Sequence, residues 1–263
     1  MITSLQNTNI KHIIKLKKKS ERQALNESII DGGKAIFTAI KFNVNILGIY
    51  YFISSENSEN KHLIETANAK KIPLIEVSKQ VFQKMSYGDI DEGFIAHIKT
   101  ENMSLNELKI ENNPLFIILE NVEKPGNIGA ILRTSDALKC SGVIVCDPLT
   151  DLYNPNIIRS SRGACFCVPY VSADKNEVKN FLKANNIQCV TLTPDGKNIY
   201  LDHNFKIPVA ILAGNEHKGV SPDFKNEDIQ TLYIPMLGEM DSLNVSVAIT
   251  VVLYECFRQR RNL

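Results

Sequence analysis

The sequence predicts an α/β chain in two parts: a smaller amino-terminal α/β domain over residues 1–100 and a parallel-sheet domain over residues 114–263. Three observations predict it. After residue 114, short and nearly continuous apolar runs alternate with helical patterns, the signature of a parallel sheet covered on both faces. The stretch 101–113 (ENMSLNELKIENN) is polar and stops before Pro114, as a linker does. A length of 263 residues with 44% hydrophobic and 22% charged content suits one large domain or two modest ones. The same composition excludes wholesale disorder, collagen-like repeats and a coiled-coil rod. No apolar run approaches the roughly 18 residues of a membrane span, and residues 1–19 carry no apolar segment or cleavage site of a secretion signal. A cytoplasmic protein is expected.

Taken in order, residues 1–41 hold eight basic side chains (Lys11, Lys15, Lys17, Lys18, Lys19, Arg22, Lys34, Lys41) against Glu21, Glu27 and Asp31, a net +5 that leaves −4 for the rest. A basic arm on a mildly acidic body fits a polyanion such as nucleic acid. It fits a solvated amphipathic helix equally well, because Ile10, Ile13, Ile14 and Leu16 supply an apolar face. Strand-like runs follow at 45–53, 72–76 and 93–98. Beyond the linker they fall at 115–120, 142–147, 188–193, 208–213 and 231–235, with helical patterns at 127–139, 174–185 and 242–258. The last segment has enough β-branched residues to read as a strand. Its length of about five turns argues for a buried helix, and Arg258, Arg260 and Arg261 suit the negative end of its dipole.

Six cysteines are too few for a disulfide scaffold in a chain this long. Cys140, Cys146, Cys189 and Cys256 sit in apolar stretches and read as small buried hydrophobes. Cys165 and Cys167 form C-x-C with no second pair at zinc spacing, and would share one face of a strand. No metal is expected.

Four strands run straight into unusual loops: Glu120 into NVEKPGNIG, Thr193 into PDGK, Ala213 into GNEHKG and Pro235 into MLGEMDSLN. In open α/β sheets ligands bind outside the carboxyl ends of the strands, so four such loops predict a site. The segment Gly214–Ser221 is not a phosphate-binding P-loop, because its second glycine is followed by Val-Ser and not Lys-Ser. Gly126 and Gly129, with Asp147 about twenty residues on, form a degraded dinucleotide pattern that keeps a Rossmann-type nicotinamide oxidoreductase as an alternative. Asn127 suits a helix cap. Arg133 carries a fork that fits a phosphate or carboxylate. Ser242 and Asn244 open the last helix, and Glu216, flanked by glycines, is a bracing acceptor or a ligand contact. No nucleophile–base arrangement suggests hydrolysis.

These segments resemble the SpoU/TrmH family of RNA 2′-O-ribose methyltransferases, of the SPOUT class. The resemblance lies in Asn127-Ile-Gly129 through Arg133-Thr134, in Ala213-Gly214-Asn215-Glu216 through Gly219-Val220-Ser221, and in Ile234-Pro235-Met236 followed by Ser242-Leu243-Asn244 through Ala248. The amino-terminal part is similar to the family's ribosomal-protein-like substrate-binding domain, through Ile2-Thr3-Ser4, Asn9, Lys11, Arg22 and Asp31-Gly32. Ser160-Ser161-Arg162-Gly163-Ala164 is similar to a further family segment near the RNA.

The resemblance implies a deep trefoil knot in the second domain, a homodimer, S-adenosyl-L-methionine as cofactor and structured RNA as substrate, ribosomal in preference to transfer RNA. It implies a cofactor site at Leu192, Thr193, Gly196, Ala213, Gly214, Asn215, Gly219, Ile234, Met236, Leu243 and Asn244. Asn127 would position the ribose, Glu216 would brace the site, and Ser242 and Asn244 would orient reactants. Arg133 would stabilise charge, since a guanidinium with a pKa above about 12 does not ordinarily accept a proton. RNA contacts are expected at Lys11, Lys15, Lys17, Lys18, Lys19, Arg22, Arg159 and Arg162. A non-catalytic RNA-binding protein of the same fold is the second alternative, and the presence of all five site residues argues against it.

Overall fold

The computed structural model describes residues 1–54, 58–88, 93–225 and 229–261. The chain forms two compact units, Met1–Glu101 with Tyr153–Cys167, and Asn102–Leu152 with Val168–Leu263.

In the first unit, α1 (Thr8–Lys15) is capped by Asn7, whose side chain accepts the N–H groups of Asn9 and Ile10. α2 (Lys19–Leu25) ends on Asn26 in the left-handed conformation. β1 (Glu27–Asp31), α3 (Gly33–Lys41), β2 (Ile46–Phe52), α4 (Ser58–Ala69), β3 (Leu74–Glu76), α5 (Lys79–Met85) and β4 (Gly93–Lys99) follow. Their sheet runs β1-β4-β2-β3, antiparallel except between β2 and β3. Ile10, Ile13 and Leu16 pack with Val81, Phe82 and Met85 against Ile29, Tyr50 and Ile95 of the sheet. The basic arm is therefore not a separate appendage: its apolar stripe is core, and it contains a strand that the charge pattern concealed.

The second unit is a seven-stranded sheet in which every pairing is parallel. It begins with β5 (Leu115–Glu120), α6 (Pro125–Ala137) and β6 (Gly142–Cys146). The chain then leaves for α7 (Pro155–Ser161), which packs on β1 in the first unit. Residues 153–167, inside the expected 114–263 stretch, thus pack with the first unit. The physical basis is the edge of β1, covered by α7 with Ser28 Oγ donating to Tyr153 O at 2.6 Å. Gly163 (φ +86°) permits the approach, because a Cβ there would lie 2.8 Å from Thr38 Cβ. Cys165 and Cys167 lie in and after a short 3₁₀ turn, not on a strand as expected.

β7 (Tyr170–Ala173), α8 (Lys175–Ala184), β8 (Gln188–Leu192), β9 (Asn198–Ile199), β10 (Val209–Ala213), β11 (Gln230–Tyr233) and α9 (Val245–Arg260) complete the unit. The strand order is β7-β6-β5-β10-β8-β11-β9. β5, β6 and β10 are buried along their whole lengths, which is why they read as unbroken apolar runs. α8 covers one face of the sheet. Leu105 and Leu108 join it there, so the expected linker is packed into the core of the second unit. α6 and α9 pack together on the other face. Arg260 fastens the end of α9 by donating to the carbonyls of Asn113, Phe205 and Ile207 at 2.7–2.8 Å. All six cysteines are free thiols, and burial pushes Cys140, Cys146, Cys165 and Cys189 up to about 12. No helix among the described residues is long and apolar enough to cross a membrane.

Candidate active site

The carboxyl ends of β8, β10 and β11 open on a cavity of about 490 Å³, bounded by the three loops that follow them and by the start of α9. That volume lies in the range of small-molecule and cofactor sites, roughly 300–1,000 Å³. Leu192, Ile234, Met236, Leu243, Val245 and Ala248 give it apolar walls, while Thr193, Asn215, Glu216, Ser242 and Asn244 give it polar points. The glycines at its edge have packing reasons. A Cβ on Gly214 would fall 2.3 Å from Gly219 O, and one on Gly196 would fall 2.5 Å from the carbonyl carbon of Leu232. In both cases backbone lies against backbone, with no side chain to give way.

Two hydrogen-bonded sets hold the loops. In the first, Asn215 is spent on its own loop and its neighbour. Its Oδ1 accepts from the N–H groups of His217 and Lys218, and its Nδ2 donates to Asn121 O and to Glu123 Oε1. Its backbone pairs in both directions with Gly219, whose φ is +68°. In the second set, Asn127 Nδ2 donates to Glu216 Oε1 at 2.6 Å and Asn244 Nδ2 donates to Asn127 Oδ1 at 3.1 Å. Asn244 Oδ1 then accepts from Ser246 N at 3.0 Å and so caps α9. A carboxylate can only accept, so Glu216 fixes the amide of Asn127, which fixes the amide of Asn244. One relay thus ties together the loops after β5, β10 and β11. Burial works against the Glu216 charge, but its own N–H, the Asn127 amide and the N–H groups of Glu123 and Lys124 outweigh it and hold its carboxyl below the usual range.

Asn127 is not the cap that its sequence position suggested. α6 starts two residues earlier, with Pro125 at its first position, so Asn127 sits inside the first turn with its side chain free for the relay. The last helix likewise begins at Val245, not Ser242, which leaves Ser242 in the preceding loop beside Asp241.

Of the expected cofactor residues, all but Gly196 line the cavity. Gly196 instead lets the β8 loop cross the end of β11. That loop is braced by Thr193, which donates to the Asp195 carboxylate, and by the Asp195–Lys225 ion pair at 3.2 Å. Lys124, Pro194, His217, Val220, Asp241, Val245 and Ala248 also line it and were not singled out as site residues; their sequence signal is membership of the four loops or of the family segments. Arg133 does not line it. Six residues beyond Asn127 it lies about 240° further round the helix, and it is exposed, with no hydrogen bond or ion pair among the described residues. Gly126, Gly129 and Asp147, the basis of the nicotinamide reading, do not line it either.

In the first unit, Lys11, Lys15, Lys18 and Lys19 are exposed, as are Arg159 and Arg162. Arg22 is not. It is 4% exposed and donates to the carbonyls of Leu16 and Lys17. Lys17 is half-buried, with its ammonium on the carbonyls of Lys84 and Ser86.

Comparison with known proteins identifies both units. The SpoU rRNA Methylase family model matches residues 114–254, and the MRM3-like substrate binding domain matches residues 7–96. The 23S rRNA (uridine(2479)-2′-O)-methyltransferase of Streptomyces viridochromogenes is 28% identical over 250 residues, covering 92% of this chain and 86% of that protein. A crystal structure described as an RNA 2′-O ribose methyltransferase superposes with a TM-score of 0.86 at 34% identity, over 98% of both chains. The SpoU methyltransferase AviRb of Streptomyces viridochromogenes, crystallised with AdoMet, gives a TM-score of 0.88 at 26% identity, over 97% of this chain and 98% of that one.

Proposed function

Because this chain belongs to the SpoU rRNA methylase family, we propose that it transfers a methyl group from S-adenosylmethionine to a ribose 2′-hydroxyl of ribosomal RNA. The observation that carries this reading is the cavity at the ends of β8, β10 and β11, with the Glu216–Asn127–Asn244 relay at its rim. Its residues fit the cofactor: the apolar walls suit an adenine ring, and the loop backbones and polar points suit ribose and amino-acid ends. The cofactor supplies an activated methyl, so the protein must align the acceptor and accommodate charge developing on oxygen. Asn127, held by Glu216, orients the acceptor ribose. Ser242 and Asn244 order the mouth of the cavity. Arg133 stabilises the reacting oxygen or an adjacent phosphate.

Residues 1–101 grip the RNA through Lys11, Lys15, Lys18 and Lys19, with Arg159 and Arg162 of the α7 segment; the substrate-binding match to residues 7–96 supports this. A cytoplasmic location goes with that substrate. A homodimer is supported by the outward side of α9, where Val247 and Tyr254 are 48% and 53% exposed. The expected knot is supported by the order β10-β8-β11-β9, in which the chain returns to the sheet centre and leaves again.

The test is transfer of labelled methyl from S-adenosylmethionine to ribosomal RNA, followed by alkaline hydrolysis. A methylated 2′-oxygen cannot attack its phosphate, so label is expected in alkali-resistant dinucleotides. Label in mononucleotides, or no transfer to any ribosomal RNA fragment, would overturn the assignment.

A further inference from the structure

The first unit brings together a donor set that plays no part in the reaction above. His12 lies in the last turn of α1, Glu27 opens β1 and His97 lies in β4. In the β1–β4 register Glu27 faces Lys99 and Ile29 faces His97, so Glu27 and His97 are diagonal neighbours on one face of the sheet. His12 reaches the same face from the helix above it. The Nε2 atoms of His12 and His97 converge on one oxygen, Glu27 Oε2, at 2.5 and 2.8 Å. One ligand atom from each residue lies within 4.8 Å of the other two. Lys99 Nζ occupies the other carboxylate oxygen at 2.9 Å.

We propose that His12, Glu27 and His97 form a binding site for one divalent transition-metal ion of the zinc class, which fastens α1 to the sheet. Two imidazoles and a carboxylate are a zinc donor set, and three protein ligands leave a fourth position for water. The surroundings fit: the side chains of Glu27 and His97 are 10% and 13% exposed, whereas His12 is 37% exposed and leaves that side open. Bonds of about 2.0–2.1 Å to a tetrahedral ion place ligand atoms about 3.3 Å apart. The His97 and His12 contacts therefore need to open by about 0.5 and 0.8 Å, and His12, the most exposed of the three side chains, has room to move. With Oε1 taken by Lys99, Oε2 is the oxygen left to bind.

The test is zinc and cobalt uptake by the metal-stripped full chain, alongside His12→Ala, His97→Ala and Lys99→Met. One equivalent of Zn²⁺ is expected, with a rise in melting temperature that both histidine variants lose. Co²⁺ is expected to give a ligand-field spectrum without a thiolate charge-transfer band, which separates this site from the six cysteines. Lys99→Met is expected to bind the ion more tightly, because the ammonium both competes for Glu27 and repels the cation. His12→Ala removes only a partly exposed side chain, so a folded variant without uptake is the supporting result. Absence of uptake by the wild type, uptake that survives both histidine variants, or a thiolate band would overturn the proposal and leave a hydrogen-bonded cluster.

Discussion

Replacement of Glu216 tests whether the relay holds the site. Its Oε1 takes the Asn127 amide at 2.6 Å and its Oε2 the N–H of Glu123 at 3.4 Å. A hydrogen bond to a charged acceptor is worth about 1.5–3 kcal/mol, and a buried donor left without a partner costs about 1–3 kcal/mol. Asn127 is only 9% exposed, so water does not fully replace the lost partner. Glu216→Ala should therefore cost about 2–3 kcal/mol. Glu216→Gln should cost about 1 kcal/mol, since its carbonyl still accepts from Asn127 but its amide then meets the Glu123 N–H donor to donor. In a double-mutant cycle with Asn127→Ala the coupling should be about 1.5–2 kcal/mol. Urea unfolding followed by circular dichroism is the assay, as the chain has no tryptophan. Methyl transfer should fall further, by about 10²-fold, because an ångström of misplacement at the acceptor suffices for that. Additive single variants, with coupling below about 0.5 kcal/mol, would refute the relay.

Arg133→Ala should lower single-turnover transfer by about 10²–10³ and leave cofactor affinity unchanged, since the residue lies outside the cavity; isothermal titration and rapid quench read the two separately. Gly214→Ala should abolish cofactor binding by driving a Cβ to 2.3 Å from Gly219 O, while Gly126→Ala, whose Cβ meets nothing within 4 Å, should bind normally. Replacing Lys11, Lys15, Lys18 and Lys19 together should reduce the slope of log RNA affinity against log salt by up to about 3; equal slopes would make these lysines a solvated helix face. Stability should fall on acidification in a two-part curve, measured by urea midpoints. Burial lowers the pKa of His97 in the fold, so below about 6.5 the unfolded chain takes up that proton first. Glu27, held at about 2 against its ordinary 4.5, adds a loss between those values that Glu27→Gln should remove.

The second unit was legible in the sequence where one residue type has one use. β5, β6 and β10 are buried on both faces, so their runs are unbroken and their boundaries fall within a residue of the expected ones. β7, with four residues, and β9, with two, carry too little pattern to read. β1 was hidden because its ends, Glu27 and Asp31, counted towards charge, although both are buried and hydrogen-bonded. The same charge count made Arg22 and Lys17 look available, when their cations are consumed by carbonyls that only the fold brings near. The four loops announced the site, but not the relay, whose members lie 89 and 117 residues apart. The histidine–glutamate cluster was invisible for the same reason, with separations of 15 and 70.

The position of Arg133 bears on how the proposed reaction is assembled. Asn127 and Arg133 share α6 and neither lines the cavity, but only Asn127 is bonded to residues that do, Glu216 and Asn244, because six residues carry the chain about 240° round the helix. Burial of Ile128, Ile131 and Leu132 beside the sheet prevents α6 from rotating to bring the guanidinium in. The contact of Thr134 Oγ1 with Thr250 Oγ1, at 3.0 Å, pins the same stretch to α9. Arg133, proposed to act at the reacting oxygen, thus stands exposed on the helix that packs against α9, whose Val247 and Tyr254 are left uncovered. Covering those side chains with a second copy would bury apolar area and bring another chain against Arg133 in one step. In the proposed dimer each guanidinium would then serve at the subunit boundary, and loss of pairing should remove transfer.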